Sequence, residues 1–311
     1  MFTILLTFGL VAAAYAEGTK DVAEARQILD RYLATVHPKG PAKTDPYDPK
    51  VDKQVNEARL ARLAILAELT SMPDEAVSAA ERVIFERADS HQRYEIVDAL
   101  SGLILTRQCA ELLQRVRQDV RKPKDQDATL YEELVRSSAV HGLRMMARRT
   151  DRTGGKRTQR TPDFPEKITG LVPYLVEAAN DPAERVRVSA LFALADSRDS
   201  AAVAELRNRL KDESERVRLY AACFLTEYMD ATGLPEMRNA LDRFKKTESE
   251  HAFDHYAQVE MLLASLERIT GKSFGEIPLN PVLCSSDGGE ARRYQELLDT
   301  WHAWWSWQPD G

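Results

Sequence analysis

Cysteine is scarce in this 311-residue chain: only Cys109, Cys223 and Cys284 occur, and no two form a Cys-x-x-Cys pair. An odd number at these spacings supports neither a disulfide framework nor a thiolate metal cluster. Aromatic residues make up 7%, which argues against a compact β-rich enzyme, and β-branched residues nowhere alternate over a useful stretch. Positive charge is not in excess. The formal net charge is −6, so the chain as a whole does not attract nucleic acid or anionic lipid. A Ser-His-Asp arrangement and a Gly-rich nucleotide loop are also missing, and the sequence points to no catalytic residue and no cofactor. What is there is 43% hydrophobic and 30% charged residues, enough to bury a continuous core in one elongated domain.

The strongest positive signal is a block that occurs three times: Glu133-Leu134-Val135-Arg136, Glu184-Arg185-Val186-Arg187 and Glu215-Arg216-Val217-Arg218. An Ala follows each Arg by three residues (Ala139, Ala190, Ala221) and a Leu by seven (Leu143, Leu194, Leu225). Val, Ala and Leu therefore recur every fourth residue and share one helical face. The second and third copies lie 31 residues apart, a period that signals stacked helical repeats. Val172 and Leu175 precede the second block at the offsets at which Val203 and Leu206 precede the third, so each unit reads as two helices joined by a turn. Asp181-Pro182-Ala183-Glu184 predicts a helix start with Asp181 as N-cap, Pro182 in the first turn and Glu184 closing a capping box, and Asp212-Glu213-Ser214-Glu215 repeats it. In the first copy the cap is expected to shift to Thr129 with Glu132.

These residues resemble the HEAT family in its short, PBS-lyase HEAT-like form: an Asp opening the second helix, then Val-Arg, a small residue and a Leu. The resemblance implies an all-α fold, a right-handed superhelical solenoid of helix pairs with a C-terminal helical cap. It also implies that Arg136, Arg187 and Arg218 form a ladder with Asp181 and Asp212 of neighbouring repeats. In such folds the second helices line the concave surface. Aligning the three copies sets out candidate rows Ser138, Ser189 and Tyr220; His141, Phe192 and Cys223; and Met145, Asp196 and Glu227. Ile269-Thr270-Gly271-Lys272-Ser273-Phe274-Gly275 followed by Trp301-His302-Ala303-Trp304-Trp305 resembles the cap that closes many secreted bacterial HEAT proteins. Family members of this kind bind other macromolecules, so the expected partner is a protein, acidic in one reading, without nucleic acid.

Residues 1–16 form an apolar run ending in Ala14-Tyr15-Ala16, the small-x-small form of a signal-peptidase site. Export to the periplasm or outside the cell is the expectation, with no stable membrane insertion once the run is removed. No Lys or Arg precedes Lys20, and a buried N-terminal helix in a cytoplasmic protein is the alternative. Degenerate helical repeats follow over 17–104, HEAT-like repeats over 105–268 with a basic insertion at about 148–164, and the cap over 269–311, with a loop inserted at 276–289.

Two further features carry candidate chemistry. Arg144, Arg148, Arg149, Arg152, Lys156, Arg157 and Arg160 place seven positive charges in 17 residues, with Asp151 the only acid among them. No aromatic residue is interleaved for base stacking, so a solvated loop, or a dock for an acidic protein or polyanionic glycan, is the preferred reading of this insertion; a nucleic-acid role requires the N-terminal run to be retained. His251 and His255 stand four residues apart on one helical face, a metal-ligand spacing without a third ligand. An enzyme with a metal site there is the rival reading. Trp301, Trp304 and Trp305 share a face with Tyr294, Leu297 and Leu298, and core packing of the cap is preferred there over a carbohydrate platform.

Overall fold

The computed structural model describes residues 22–35, 62, 64–86, 88–122, 125–147, 168, 170–246, 252–277 and 289–306. Among them every regular element is a helix, mostly α with two short 3₁₀ turns. The chain divides into two compact units, Met1–Ala178 and Ala179–Gly311. The first copy of the repeated block falls in the first unit, the second and third copies in the second.

In the first unit α1 (Val22–Ala34) packs on α2 (Pro73–Glu86). Next come α3 (Ser90–Leu103), α4 (Arg107–Gln118), the long α5 (Gln126–Ala147) and the short α6 (Val172–Ala178). Helix α5 lies along both α3 and α4. Ile96, Val97 and Leu100 meet Leu112, Leu113 and Val116 and the Val135, Ala139 and Leu143 stripe, all buried. Each Val, Leu or Ile among them contributes about 1.5–3 kcal/mol on burial. Gly142 allows the closest approach, because a Cβ there would stand 2.5 Å from Leu113 Cδ1 and 2.9 Å from Ser101 Cα.

The second unit runs through α7 (Glu184–Ser197), α8 (Ala201–Arg209), α9 (Glu215–Leu225), two 3₁₀ turns (Thr226–Tyr228 and Ala231–Gly233), α10 (Leu234–Lys246), α11 (Ala252–Thr270) and α12 (Gly289–Ser306). Its second helices α7 and α9 pack side by side, with α8 against both. The Val-Ala-Leu stripe is wholly interior in all three copies: each of its nine side chains is 0% exposed. A terminal core joins Cys223, Met237, Leu241, Leu262, Leu266 and Leu298 with Trp301. Trp301 is 1% exposed and takes the ring of Phe274 edge-on at 4.8 Å, while Trp304 and Trp305 pack at its margin. These tryptophans cover the end of the stack, as an array's last helical face requires.

The turns of the second unit share one device. Asp181, Asp199, Asp212 and Asp230 each accept a hydrogen bond at 2.9 Å from the backbone N–H two residues on, at Ala183, Ala201, Ser214 and Thr232. These are Asx turns, in which the short carboxylate replaces a backbone acceptor. Arg198 and Met229, 31 residues apart, both adopt left-handed φ, 54° and 55°. Each ends a helical segment by the αL route usually reserved for glycine or asparagine.

The helix starts differ from the expected capping boxes. Glu184 opens α7 behind an Ala183 N-cap that makes no side-chain bond, and Ser214 caps α9 by accepting from Val217 N at 3.3 Å. Asp181 and Asp212 are committed to their turns, one residue or more too early to cap. The first copy has no helix start at Thr129, because α5 begins at Gln126 with Asp125 accepting from Ala128 N at 2.7 Å. Glu132 is drawn away from any cap by a buried arginine.

Candidate functional site

The geometry shared by the second and third copies is built by their block arginines. Arg187 donates through Nη1 to the carbonyls of Asp181 and Pro182, both at 3.0 Å, and through Nη2 to Asp212 Oδ1 of the next repeat at 3.0 Å. Arg218 repeats the first half of this grip on Asp212 O and Glu213 O at 2.8 and 3.1 Å. No Asp follows at the next position, and its outward contact goes to Glu236 at 3.4 Å. Each guanidinium thus ties its own helix start to the following unit, which suits a planar group with five donors in a fixed fork. Arg136 differs, donating to Glu132 O one turn back at 3.4 Å.

Sequence reasoning missed the first unit's counterpart. Arg93, 0% exposed, holds both oxygens of Glu132 at 2.9 and 2.7 Å and Asp119 at 2.9 Å. Ser90 Oγ adds a bond to Glu132 at 2.7 Å, and Arg121 Nε donates to the same Asp119 oxygen as Arg93, at 2.9 Å. Nothing in the sequence flagged Arg93, since it lies outside the repeated block; only its position on the buried face of α3, with Ile96, Val97 and Leu100, could have drawn notice.

The candidate rows separate by burial. In the second unit Phe192 is half-buried on α7 and meets Tyr220 and Phe224 of α9 at centroid distances of 5.3 and 4.8 Å. Tyr220 is 5% exposed and carries the Arg216 guanidinium 5.9 Å above its ring, a cation–π arrangement. Ser189 lies one turn before Phe192 and bonds back to Arg185 O at 3.0 Å. Asp196 is half-buried, and Glu227, in the 3₁₀ turn, pairs with Arg198 at 2.8 Å. Cys223 does not belong to a binding face: it is 0% exposed in the terminal core, and burial pushes its thiol up to about 12. The offset between α7 and α9 sets Phe192 against residues 220 and 224, which turns residue 223 inward.

In the first unit Ser138 donates to Asp98 at 3.1 Å, His141 is exposed and Met145 is half-buried. Arg144 is half-buried on the last turn of α5. Residues 1–16, Arg148, Arg149, Arg152, Lys156, Arg157, Arg160, His251, the side chain of His255, Cys284 and Trp307 lie outside the described residues. Among the described residues no group of three or more His, Cys, Asp or Glu side chains is placed to hold a metal ion. No helix among them is long and apolar enough to cross a membrane.

Paired helices, an interior Val-Ala-Leu stripe and an arginine bridging to the next repeat define an α-helical repeat protein. Residues 172–249 match the family model for HEAT repeats. No curated protein and no solved structure matches the chain.

Proposed function

We propose that the chain is a non-catalytic scaffold that binds another protein through the second-helix face of its repeats, at Arg185, Ser189, Phe192 and Arg216. The observation that carries this reading is the aromatic contact across α7 and α9. A half-buried Phe192 rests on two nearly buried rings, so the surface presents an apolar patch that is already fixed in place. Beside it Arg185 is exposed and makes no ion pair among the described residues. An aromatic anchor within a polar rim is the composition of a protein-binding surface, and the unpaired cation favours a partner carrying carboxylates at its edge. Scaffolding is also what HEAT repeats generally do. Placement outside the cytoplasm is part of the proposal and rests on the composition of residues 1–16.

Site-specific photo-cross-linking tests it. With the probe at position 192, one defined protein from the native source should be captured, and a probe at Ala204, exposed on α8, should not capture it. Arg185→Glu should weaken capture, and raised salt should do the same. Equal capture from positions 192 and 204 would contradict the assignment of the face. A stoichiometric transition metal in the purified protein would favour the enzyme reading instead.

A further inference from the structure

A cleft of ≈ 390 Å³ opens in the first unit between the start of α3, residues Arg121, Lys122 and Asp125, and the start of α5. That volume falls within the roughly 300–1,000 Å³ of small-ligand pockets. Buried Glu132, whose charge Arg93 and Ser90 satisfy, is part of its lining. One wall is the ring of Tyr131, braced by His91 edge-on at 4.7 Å and by Tyr94 at 6.1 Å.

The groups around this wall retain unused hydrogen-bonding capacity. The Tyr131 hydroxyl and the Lys122 ammonium have no protein partner among the described residues. Arg121 gives Nε to Asp119 and Nη2 to the carbonyls of Ile84 and Phe85, which leaves Nη1. Asp89 and Asp125 each use Oδ1 on a helix N–H, at Gln92 and Ala128, which leaves Oδ2 on each. Free donors and free acceptors therefore both line a cleft that has an aromatic surface.

A ligand of one charge fits this set poorly. An anion drawn to Lys122 and Arg121 would meet Asp89 and Asp125; a cation drawn to those carboxylates would meet the two bases. A neutral polyhydroxylated ligand satisfies both, because each hydroxyl donates one hydrogen bond and accepts others, while its C–H face lies on the Tyr131 ring. We propose that this cleft binds a neutral mono- or disaccharide, with Tyr131 as platform, Lys122 and Arg121 as donors, and Asp89 and Asp125 as acceptors. This site is independent of the protein-binding face on α7 and α9.

Calorimetric titration of the full chain with glucose, N-acetylglucosamine, maltose and cellobiose at millimolar concentrations tests it, with glucose 6-phosphate and glucosamine as charged counterparts. At least one neutral sugar should bind, with little dependence on salt. Tyr131→Ala should weaken that binding about tenfold or more, equivalent to about 1.4 kcal/mol, and Tyr131→Phe should weaken it less. Lys122→Ala, at an exposed position, should weaken it with the melting temperature unchanged, which gives a reading even if Tyr131→Ala fails to fold. Absence of binding by every neutral sugar overturns the proposal. So does binding confined to the charged counterparts, or neutral binding that survives both Tyr131→Ala and Lys122→Ala.

Discussion

The two units solve the same problem, holding neighbouring helices in register, with arginines in opposite settings. In the second unit Arg187 reaches over a turn and shares its protons among two backbone carbonyls, Asp212 and the exposed Glu213. In the first, Arg93 is sealed from solvent and rests on carboxylates alone. A guanidinium supported by carbonyls keeps most of its hydrogen bonds when one carboxylate is removed. One supported only by carboxylates in a dry site does not: without Glu132, Arg93 keeps Asp119 alone to offset a fully buried charge. The second unit has the tolerant arrangement at Arg187; the first relies on the less tolerant one at Arg93.

The largest effect should come from breaking the interior stripe that both units share. Leu194→Asp puts an unpaired carboxylate at a 0% exposed position and should destabilise the second unit by about 4 kcal/mol or more. Ser189→Asp, five residues earlier and half-buried, should cost under about 1 kcal/mol. Urea unfolding of both variants reads the difference, and equal costs would mean that the stripe and the face have been exchanged.

The comparison itself is sharpened by Glu132→Ala and Asp212→Ala. Loss of Glu132 leaves Arg93 only its bond to Asp119 and should cost about 3–5 kcal/mol. Loss of Asp212 leaves Arg187 its carbonyls and should cost about 1–3 kcal/mol. A reversed order in denaturant midpoints would contradict the distinction between the two settings.

Thiol accessibility gives an all-or-none test of burial. Cys109 and Cys223 are both 0% exposed, and burial pushes each thiol up to about 12. Neither should be alkylated in the folded protein near pH 8, and both should react once it unfolds, because the thiolate is the nucleophile. Peptide mapping after a short alkylation checks this, and rapid native labelling of Cys223 would remove it from the core.

A smaller, pH-dependent effect belongs to Asp230. Burial acts to raise its pKa, but hydrogen bonds from the Thr232 side chain and backbone and from Arg207 outweigh it and hold the carboxyl below its usual range. A folded-state pKa below the unfolded value contributes stability above about pH 4, and this is lost as pH falls through the lowered value. Asp230→Asn should therefore reduce stability at neutral pH and flatten the acid limb of a stability–pH curve. A curve parallel to the parent's would show that Asp230 carries no such linkage.

Much of the architecture was legible because it repeats. A Val-Ala-Leu stripe recurring in three copies identifies a buried face without reference to any partner, and Arg187 with Asp212 follows from the family resemblance. The Asp-led turns were read as helix caps instead. An Asp near a helix start serves either use, and only the backbone decides which N–H it receives. Cys223 was misplaced because the rows were taken from alignment alone, while the stagger of α7 against α9 pairs residue 192 with 220 and 224. Arg93, Glu132 and the cleft beside them gave no periodic signal, since they arise from three segments brought together only by folding.

Double-mutant cycles on Arg187/Asp212 and Arg93/Glu132, measured by chemical denaturation, test the central claim most directly. The account predicts a clear coupling in both, about 1 kcal/mol or more for Arg187/Asp212, and a larger value for the sealed Arg93/Glu132 pair. Coupling near zero for Arg187/Asp212 would contradict an arginine ladder that joins the repeats, and equal couplings would contradict the difference between the two units.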